Sequence, residues 1–221
     1  MYKLSSAYPF NLIFDLDGTL IDSHEGVVQS LKYALADSGI YSELSSSQIP
    51  IGPPLSELIH SITDCSDPSF IQPIVASFKN HYDSKGYTCS RLFEGVSDFL
   101  ASLKAANFSL YIATNKRLLP TLKILKHLSI DMFFDDVYAV DSPGYFGSKS
   151  QMLNSLIAHH NLHANTIYIG DRFDDFDAAR ENLIPFFYPH WGYSTDHSLF
   201  PKNTLGIHLC SANNFQQFLL S

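Results

Sequence analysis

The sequence predicts an α/β protein in which a parallel sheet carries an inserted helical domain. Three observations favour this class: an apolar segment opens the chain at residues 10–14, apolar segments alternate with helical patterns after residue 91, and a helical stretch separates these two parts. We therefore expect an α/β core formed by residues 1–21 and 91–221, and an all-helical cap domain formed by residues 22–90.

The composition predicts a soluble globular protein. The chain of 221 residues is 45% hydrophobic, which is enough for a sizeable core. Its net charge of −8 comes without a basic cluster, so binding to nucleic acid or a membrane surface is not expected. The three scattered cysteines, Cys65, Cys89 and Cys210, indicate no disulfide framework and favour a cytoplasmic location. The sequence gives no sign of a leader peptide, a membrane span or an oligomeric state.

The predicted cap consists of three helices. Apolar residues recur at helical spacing over residues 23–38, and two further helices are expected at 55–62 and 69–84. The Ser- and Pro-rich stretch at 41–54 ends in Gly52-Pro53-Pro54, which predicts a rigid turn.

The predicted core alternates helices with strands. Helices are expected at residues 96–106, 118–128, 150–160 and 177–181. After the first strand at residues 10–14, further strands are expected at residues 108–113, 137–140, 166–169, 184–188 and 206–210. Short apolar strands that alternate with helices indicate βαβ units, and therefore a Rossmann-like parallel sheet core.

Two carboxylates follow the first strand. Asp15 and Asp17 are two residues apart, so both side chains project to one side of an extended chain, and Gly18 then allows a turn. Acids held this close repel each other unless a cation or a shared proton compensates. A metal-assisted nucleophile with an acid/base partner explains the pair. A polar strand end with an Asp-Gly turn is the alternative.

Other polar groups are predicted at the same sheet edge, because the carboxyl ends of parallel strands meet there. Their types suit phosphoryl chemistry with Mg²⁺, which takes oxygen ligands and pairs with substrate phosphate. They are Thr114, Asn115 and Lys116 after the second strand, Lys149 at a helix start, and Asp171, Asp174, Asp175 and Asp177 after the fourth strand.

Each group also has a simpler interpretation. Thr114 and Asn115 could cap the following helix. Lys149 could be a solvated surface lysine, in which case Lys123 or Lys126 competes for its role in the site. Asp174 and Asp177 fit helix-start charges that favour the macrodipole. The pair His159-His160 is interpreted as an exposed helix end rather than a ligand pair.

In these motifs the sequence resembles the haloacid dehalogenase-like hydrolase superfamily. The motifs occur in order as Asp15-Leu16-Asp17-Gly18-Thr19, Ala113-Thr114-Asn115, Lys149 and Gly170-Asp171-Arg172-Phe173-Asp174-Asp175. The segments that resemble its phosphoglycolate phosphatase-like branch, which carries a helical cap, are Ile51-Gly52-Pro53-Pro54-Leu55, residues 82–86, Thr114-Asn115-Lys116 and Trp191-Gly192-Tyr193.

The resemblance implies a role for each motif residue. Asp15 is the nucleophile that forms an aspartyl-phosphate, and Asp17 is the general acid and base. Thr114 and Asn115 bind phosphate together with the backbone after Asp15, and Lys149 stabilises negative charge. The implied Mg²⁺ ligands are Asp15, the backbone carbonyl of Asp17 and Asp171, while Asp175 either ligates through water or orients Lys149.

Substrate choice is expected to depend on Lys79, Tyr82 and Pro53 in the cap, with His81 beside them, and on Lys116 as a second anion contact. The related branch tends to have an arginine near Lys79. The expected activity is hydrolysis of a small phosphate monoester, with phosphoglycolate as the leading substrate. A nucleotidase or sugar phosphatase is the alternative, followed by a phosphomutase or a catalytically silent binding module.

Overall fold

The computed structural model describes residues 10–41, 49, 55–144, 147–162, 165–191, 193, 200–201, 204–207 and 214–215. The chain divides into two compact units: Met1–Asp22 with Arg91–Ser221, and Ser23–Ser90. No helix in these described ranges has both the length and the apolar character needed to cross a membrane.

The first unit alternates strands with helices. Its strands are β1 (Asn11–Phe14), β2 (Ile21–Asp22), β3 (Arg91–Leu92), β4 (Ser109–Thr114), β5 (Asp136–Ala139), β6 (Thr166–Ile169), β7 (Phe186–Pro189) and β8 (Leu205–Ile207). Its helices are α4 (Val96–Ala105), α5 (Leu118–His127), α6 (Lys149–His160) and α7 (Phe173–Glu181).

Six of these strands form one parallel sheet with the order β5-β4-β1-β6-β7-β8. All four residues of β1 are buried, as expected for a parallel strand that is covered on both faces. Phe14 at the end of β1 is in register with Ile112 of β4 and Ile169 of β6. The predicted α/β fold is therefore confirmed, and the loops after β1, β4 and β6 leave the sheet at the same edge.

Helices α6 and α7 cover one side of this sheet. Their apolar side chains join those of β1, β4 and β6 in one buried cluster, which includes Ile13, Tyr111, Met152, Leu153, Leu156, Tyr168, Ala178 and Ala179. This packing fixes the start of each helix next to the strand ends, since a close-packed interior permits little movement of its elements.

The second unit is helical throughout its described residues. It contains α1 (His24–Asp37), α2 (Leu55–Thr63) and α3 (Pro68–Ser84), followed by a short 3₁₀ turn at Gly86–Cys89. The Asp67 side chain caps α3 by accepting a hydrogen bond from the Ser69 backbone N–H at 2.9 Å. The three helices, together with Ile49 from the segment between α1 and α2, form a buried core that also contains Val28, Leu31, Ala34, Leu35, Leu58, Ile59 and Ile74.

Some sequence-based boundaries differ from the structure. Helix α7 begins at Phe173 rather than near residue 177, because the capping carboxylate of Asp175 stabilises an acidic first turn that has no apolar periodicity. Asp177 therefore lies inside the helix, where it pairs with Arg180, and is not a helix-start charge. The antiparallel pair β2–β3 was not predicted. Pro53 and its predicted turn lie outside the described residues.

Candidate active site

Asp15 lies directly after the central strand, at the carboxyl edge of the sheet. Its backbone N–H donates to the Ile169 carbonyl oxygen at 2.9 Å, which extends the β1–β6 ladder by one residue. The residue is buried, with 4% of its surface exposed. A buried carboxylate requires a partner, because desolvation disfavours its charge.

Lys149 supplies that partner from the first residue of α6. Its Nζ donates to Asp15 Oδ1 at 2.8 Å and also contacts Asp175 Oδ1. The Ser148 side chain caps the same helix, so the start of α6 is fixed where the lysine enters the site. The alternative of a solvated surface lysine is therefore wrong, and Lys149 rather than Lys123 or Lys126 makes the contact to Asp15.

Asp175 holds Lys149 from a fully buried position in the first turn of α7. Its Oδ2 accepts a hydrogen bond from the Arg172 backbone N–H, and its Oδ1 accepts one from the Tyr168 hydroxyl, both at 3.0 Å. Both oxygens thus already accept hydrogen bonds from the protein. The contact with Lys149 fits the expected role of orienting this lysine, while ligation of a metal through water stays the second possibility predicted for Asp175.

Asp171 completes a buried group of three carboxylates. Ligand oxygens of Asp15, Asp171 and Asp175 all lie within 4.8 Å of one another. The Thr19 hydroxyl donates to Asp171 Oδ1 at 3.3 Å. Gly18 has a φ of +82°, and a Cβ there would overlap the Asp171 carboxylate. The turn after Asp17 therefore requires glycine for both its conformation and its space.

Burial and mutual repulsion raise the pKa values of two of these acids. Desolvation raises the pKa of Asp15 to about 7, although Lys149 opposes the shift. Desolvation also raises the pKa of Asp171 to about 8, and the charges of Asp15 and Asp175 add to this effect. Burial lowers the pKa of Lys149, but Asp15 and Asp175 outweigh it, so the net pKa is above its usual value and the lysine is charged.

These residues fit a hard divalent cation. When ionised, the three buried carboxylates outnumber the single ammonium group of Lys149, which contacts two of them, so the cluster carries an excess of negative charge. Carboxylate oxygens are the donors that Mg²⁺ prefers, and a bound cation would favour the ionised forms of Asp15 and Asp171. The donor chemistry and the unbalanced charge both support the predicted magnesium site, with Asp15 and Asp171 as its side-chain ligands.

Asp17 pairs with a different lysine. Lys116, two residues after the end of β4, donates to Asp17 Oδ1 at 2.9 Å and to Oδ2 at 3.1 Å. Lys116 was predicted as a substrate contact, and its bond to Asp17 was not foreseen. The carboxylate of Asp17 is not part of the buried cluster of Asp15, Asp171 and Asp175. That Asp17 offers a metal its backbone carbonyl stays a prediction.

Thr114 is buried at the end of β4, and Asn115 is exposed beside it. The Thr114 hydroxyl accepts the Lys116 backbone N–H at 3.2 Å. The Asn115 amide donates to Asp174 Oδ2 at 3.0 Å. Neither residue caps α5, because Arg117 is the N-cap and the Leu118 N–H donates to Asp141. The helix-cap alternative is therefore wrong.

Three aromatic residues with no predicted role support the site. Trp191 donates from Nε1 to the Thr19 carbonyl at 2.7 Å, and the Tyr193 hydroxyl donates to Asp22 Oδ1 at 2.7 Å. Both contacts hold the loop that follows Asp17. Tyr168 lies under Lys149, whose Nζ is 5.7 Å from the ring centroid. A tyrosine in an otherwise aliphatic buried strand was the available signal, since a buried hydroxyl requires a partner.

The predicted specificity residues of the cap belong to the second unit. Lys79 is exposed on α3 and lines a cavity of about 580 Å³ between α2 and α3. Tyr82 is 2% exposed, and its ring stacks on Phe78 at a centroid distance of 5.6 Å. Tyr82 thus packs inside the structure, whereas Lys79 is accessible. Their roles toward a substrate stay predictions.

A parallel α/β core that gathers buried acids and a lysine at one sheet edge defines the class of the protein. The sequence model for haloacid dehalogenase-like hydrolases matches residues 12–188. The chain belongs to this family, as its motifs predicted. A solved hydrolase of the haloacid dehalogenase-like family from Streptococcus pneumoniae has the same fold, with a TM-score of 0.80 and 28% identity, over 95% of this chain and 98% of that one.

The curated relatives of this chain are named for different activities. A tyrosine-protein kinase, PtkA, of Mycobacterium tuberculosis is 33% identical over 84% of this chain, but the match spans only 63% of the kinase's length. A 5′-nucleotidase of Pseudomonas aeruginosa is 30% identical over 87% of both proteins. A phosphoglycolate phosphatase of Aliivibrio fischeri is 29% identical over 83% of this chain and 85% of the relative.

Proposed function

We propose that this protein is a Mg²⁺-dependent phosphatase that hydrolyses small phosphate monoesters through an aspartyl-phosphate on Asp15. The observation that carries the proposal is the buried contact between Asp15 and Lys149 beside two further acids. A charged lysine at this position can neutralise both a nucleophilic carboxylate and an incoming phosphoryl group. A structural ion pair alone does not require the third carboxylate, Asp171, which faces no lysine at hydrogen-bond distance among the described contacts.

In the first half-reaction, Asp15 attacks phosphorus and the bond from phosphorus to the leaving oxygen breaks. Asp17 donates its proton to that oxygen. In the second, Asp17 removes a proton from water as the water attacks the phosphoryl-Asp15, which releases phosphate, restores the Asp15 carboxylate and returns Asp17 to its protonated form. Thr114 and the backbone after Asp15 hold the phosphoryl oxygens, while Lys149 balances their charge. Lys116 positions Asp17, and Asn115 with Asp174 borders the phosphate site.

Asp15, Asp171 and the backbone carbonyl of Asp17 are the proposed magnesium ligands. When bound, Mg²⁺ neutralises phosphoryl charge and keeps the carboxylates ionised. Asp175 acts through Lys149, which it orients by the contact described above.

We assign substrate selection to the helical unit Ser23–Ser90, as a cap domain. Phosphoglycolate leads the proposed substrates, because a relative of matching length has that activity in its name. Nucleoside monophosphates are the second candidate, supported by the 5′-nucleotidase relative, which matches this chain at higher identity and over 87% of its length. Sugar phosphates are the third candidate.

Phosphate release from p-nitrophenyl phosphate, with Mg²⁺ and with EDTA, tests the reaction class. We expect turnover that requires the metal. No turnover by folded protein under any condition would contradict it and favour a silent binding module. A panel of phosphoglycolate, nucleoside monophosphates and sugar phosphates, ranked by kcat/KM, then separates the substrate candidates. ATP with a tyrosine-containing acceptor belongs in the same panel, since one relative is named a tyrosine kinase.

A further inference from the structure

A second cluster of potential metal ligands lies where α6 ends, among the residues that the structure describes. Asp136, His159 and His160 each offer one ligand atom, and these atoms lie within 4.8 Å of one another. Asp136 begins β5, whereas the proposed catalytic acids follow the strand ends. In a parallel sheet, strand starts and strand ends lie at opposite edges, so this cluster is distinct from the acids around Asp15.

We propose that Asp136, His159 and His160 form a binding site for a borderline transition metal such as Zn²⁺. Two imidazoles and a carboxylate are a donor set that Zn²⁺ accepts and Mg²⁺ does not favour. Three protein ligands leave the remaining coordination position to water. The site is independent of the proposed phosphatase activity.

The separation between two of the ligand atoms suits such an ion. His160 Nε2 lies 2.9 Å from Asp136 Oδ2. Bonds of about 2.0–2.1 Å in a tetrahedral zinc site place neighbouring ligand atoms about 3.3 Å apart. A shift of a few tenths of an ångström therefore converts the hydrogen-bonded pair into two ligands. The side chains of His160 and Asp136 are 25% and 36% exposed, so an ion can reach them from solvent.

Neighbouring groups hold both imidazoles in place. The Tyr138 hydroxyl lies 2.7 Å from His159 Nδ1. The His160 ring packs against Tyr111 at a centroid distance of 4.9 Å and stacks on His159 at 4.7 Å. Such outer partners fix the orientation of ligating histidines in metal sites.

The end of the helix also favours a cation. Histidines 159 and 160 form the last turn of α6, which Asn161 terminates in the left-handed conformation at φ 55°. The carbonyl groups that end a helix carry partial negative charge, so a positive ion is stabilised near them. The packing of the two imidazole rings, the Asp136 carboxylate and the helix dipole thus all favour a bound cation.

Titration of the metal-free protein with ZnCl₂ tests the site, with calorimetry as the readout and excess MgCl₂ present to compete at the carboxylate cluster. Wild type is compared with His159→Ala and His160→Ala, and with His127→Ala as a matched control. His127 also ends a helix, α5, and is not part of the cluster. We expect wild type and the control to bind one more Zn²⁺ per chain than the other two variants. Equal stoichiometry and affinity in all four proteins would refute the site.

Two further measurements keep the test decisive if His160→Ala disturbs folding. Asp136→Asn preserves the shape of the side chain, and it should weaken zinc binding by about tenfold or more because an amide is a poorer ligand. Zn²⁺ should raise the melting temperature of wild type and of His127→Ala but not of His159→Ala, since a ligand that binds only the folded state stabilises it. An equal rise in all three proteins would also overturn the proposal.

Discussion

Asp15 and Asp17 leave the same strand two residues apart, yet each carboxylate meets a different lysine. The side chains of Asp15 and Lys149 are each 5% exposed, and a second buried acid, Asp175, contacts the same lysine. Asp17 and Lys116 are 18% and 11% exposed. One ion pair is therefore sealed in the interior, whereas solvent reaches the other.

This difference separates the two proposed roles. A nucleophile requires a fixed position and a permanent counter-charge, which the buried pair supplies. A general acid and base must exchange protons with a leaving group and then with water, so it requires access. The following changes test whether the contrast between the two carboxylates is functional, in order of decreasing expected effect.

Removal of the nucleophile should have the largest effect. Asp15→Asn replaces the carboxylate by an amide of the same shape, so we expect no measurable hydrolysis of p-nitrophenyl phosphate and a retained fold. Steady-state turnover and circular dichroism are the measurements. Substantial activity in the purified variant would contradict the assignment of Asp15.

Loss of the proton carrier should be severe but incomplete. General acid–base catalysis contributes about 10²–10⁴-fold, so Asp17→Asn should lower kcat by that factor. A substrate with a good leaving group, such as p-nitrophenyl phosphate, requires less acid assistance. Its first half-reaction should therefore suffer less than that of an alkyl phosphate in single-turnover measurements. Unchanged turnover of both substrates would exclude this role for Asp17.

The two lysines should differ in their effect on stability. Lys149→Met leaves Asp15 and Asp175 buried without their cation, which should lower the free energy of unfolding by about 3–5 kcal/mol. Lys116→Met removes a more accessible pair and should cost about 1 kcal/mol or less. Urea denaturation of both variants in EDTA checks the contrast. Similar losses in the two variants would show that burial does not distinguish the pairs.

Asp171 should destabilise the metal-free protein at high pH. Its pKa rises from 3.8 to about 8 on folding, so the folded state binds more protons than the unfolded state between these values, and stability falls as pH rises. In EDTA, Asp171→Asn should therefore melt above wild type at pH 8, with a smaller difference at pH 5.5. Mg²⁺ should raise the melting temperature of wild type more than that of the variant. A variant that melts below wild type at pH 8 would contradict this account.

Most residues of the buried site could be predicted from their places at strand ends. Asp15, Thr114 and Asp171 lie at or just after the carboxyl ends of strands that pair in the sheet, so strand order alone brings them to one edge. Lys149 was predicted from its place at a helix start, and the packing of α6 puts it beside Asp15. Local strand and helix patterns were therefore enough to predict these site residues, because in a parallel sheet the carboxyl ends of the strands meet at one edge.

The surrounding contacts could not be predicted in the same way. The bond between Lys116 and Asp17 joins residues 99 positions apart, and that between Tyr193 and Asp22 joins residues 171 apart. Such pairs depend on the exact packing of loops, which hydrophobic periodicity does not encode. The His159-His160 pair shows the same limit, since its neighbour Asp136 comes from a different element.

Detection of the phosphoryl group on Asp15 tests the central claim most directly. Asp17→Asn protein, in which breakdown of the intermediate should be slow, is mixed with substrate and Mg²⁺, quenched in acid and treated with borohydride, which reduces an aspartyl-phosphate to homoserine. Mass spectrometry of the peptides then reads residue 15. We predict homoserine at position 15 in the Asp17→Asn protein. The double variant that also carries Asp15→Asn should give none. Unmodified Asp15 in protein that has released its alcohol product, or the modification at another aspartate, would contradict the account.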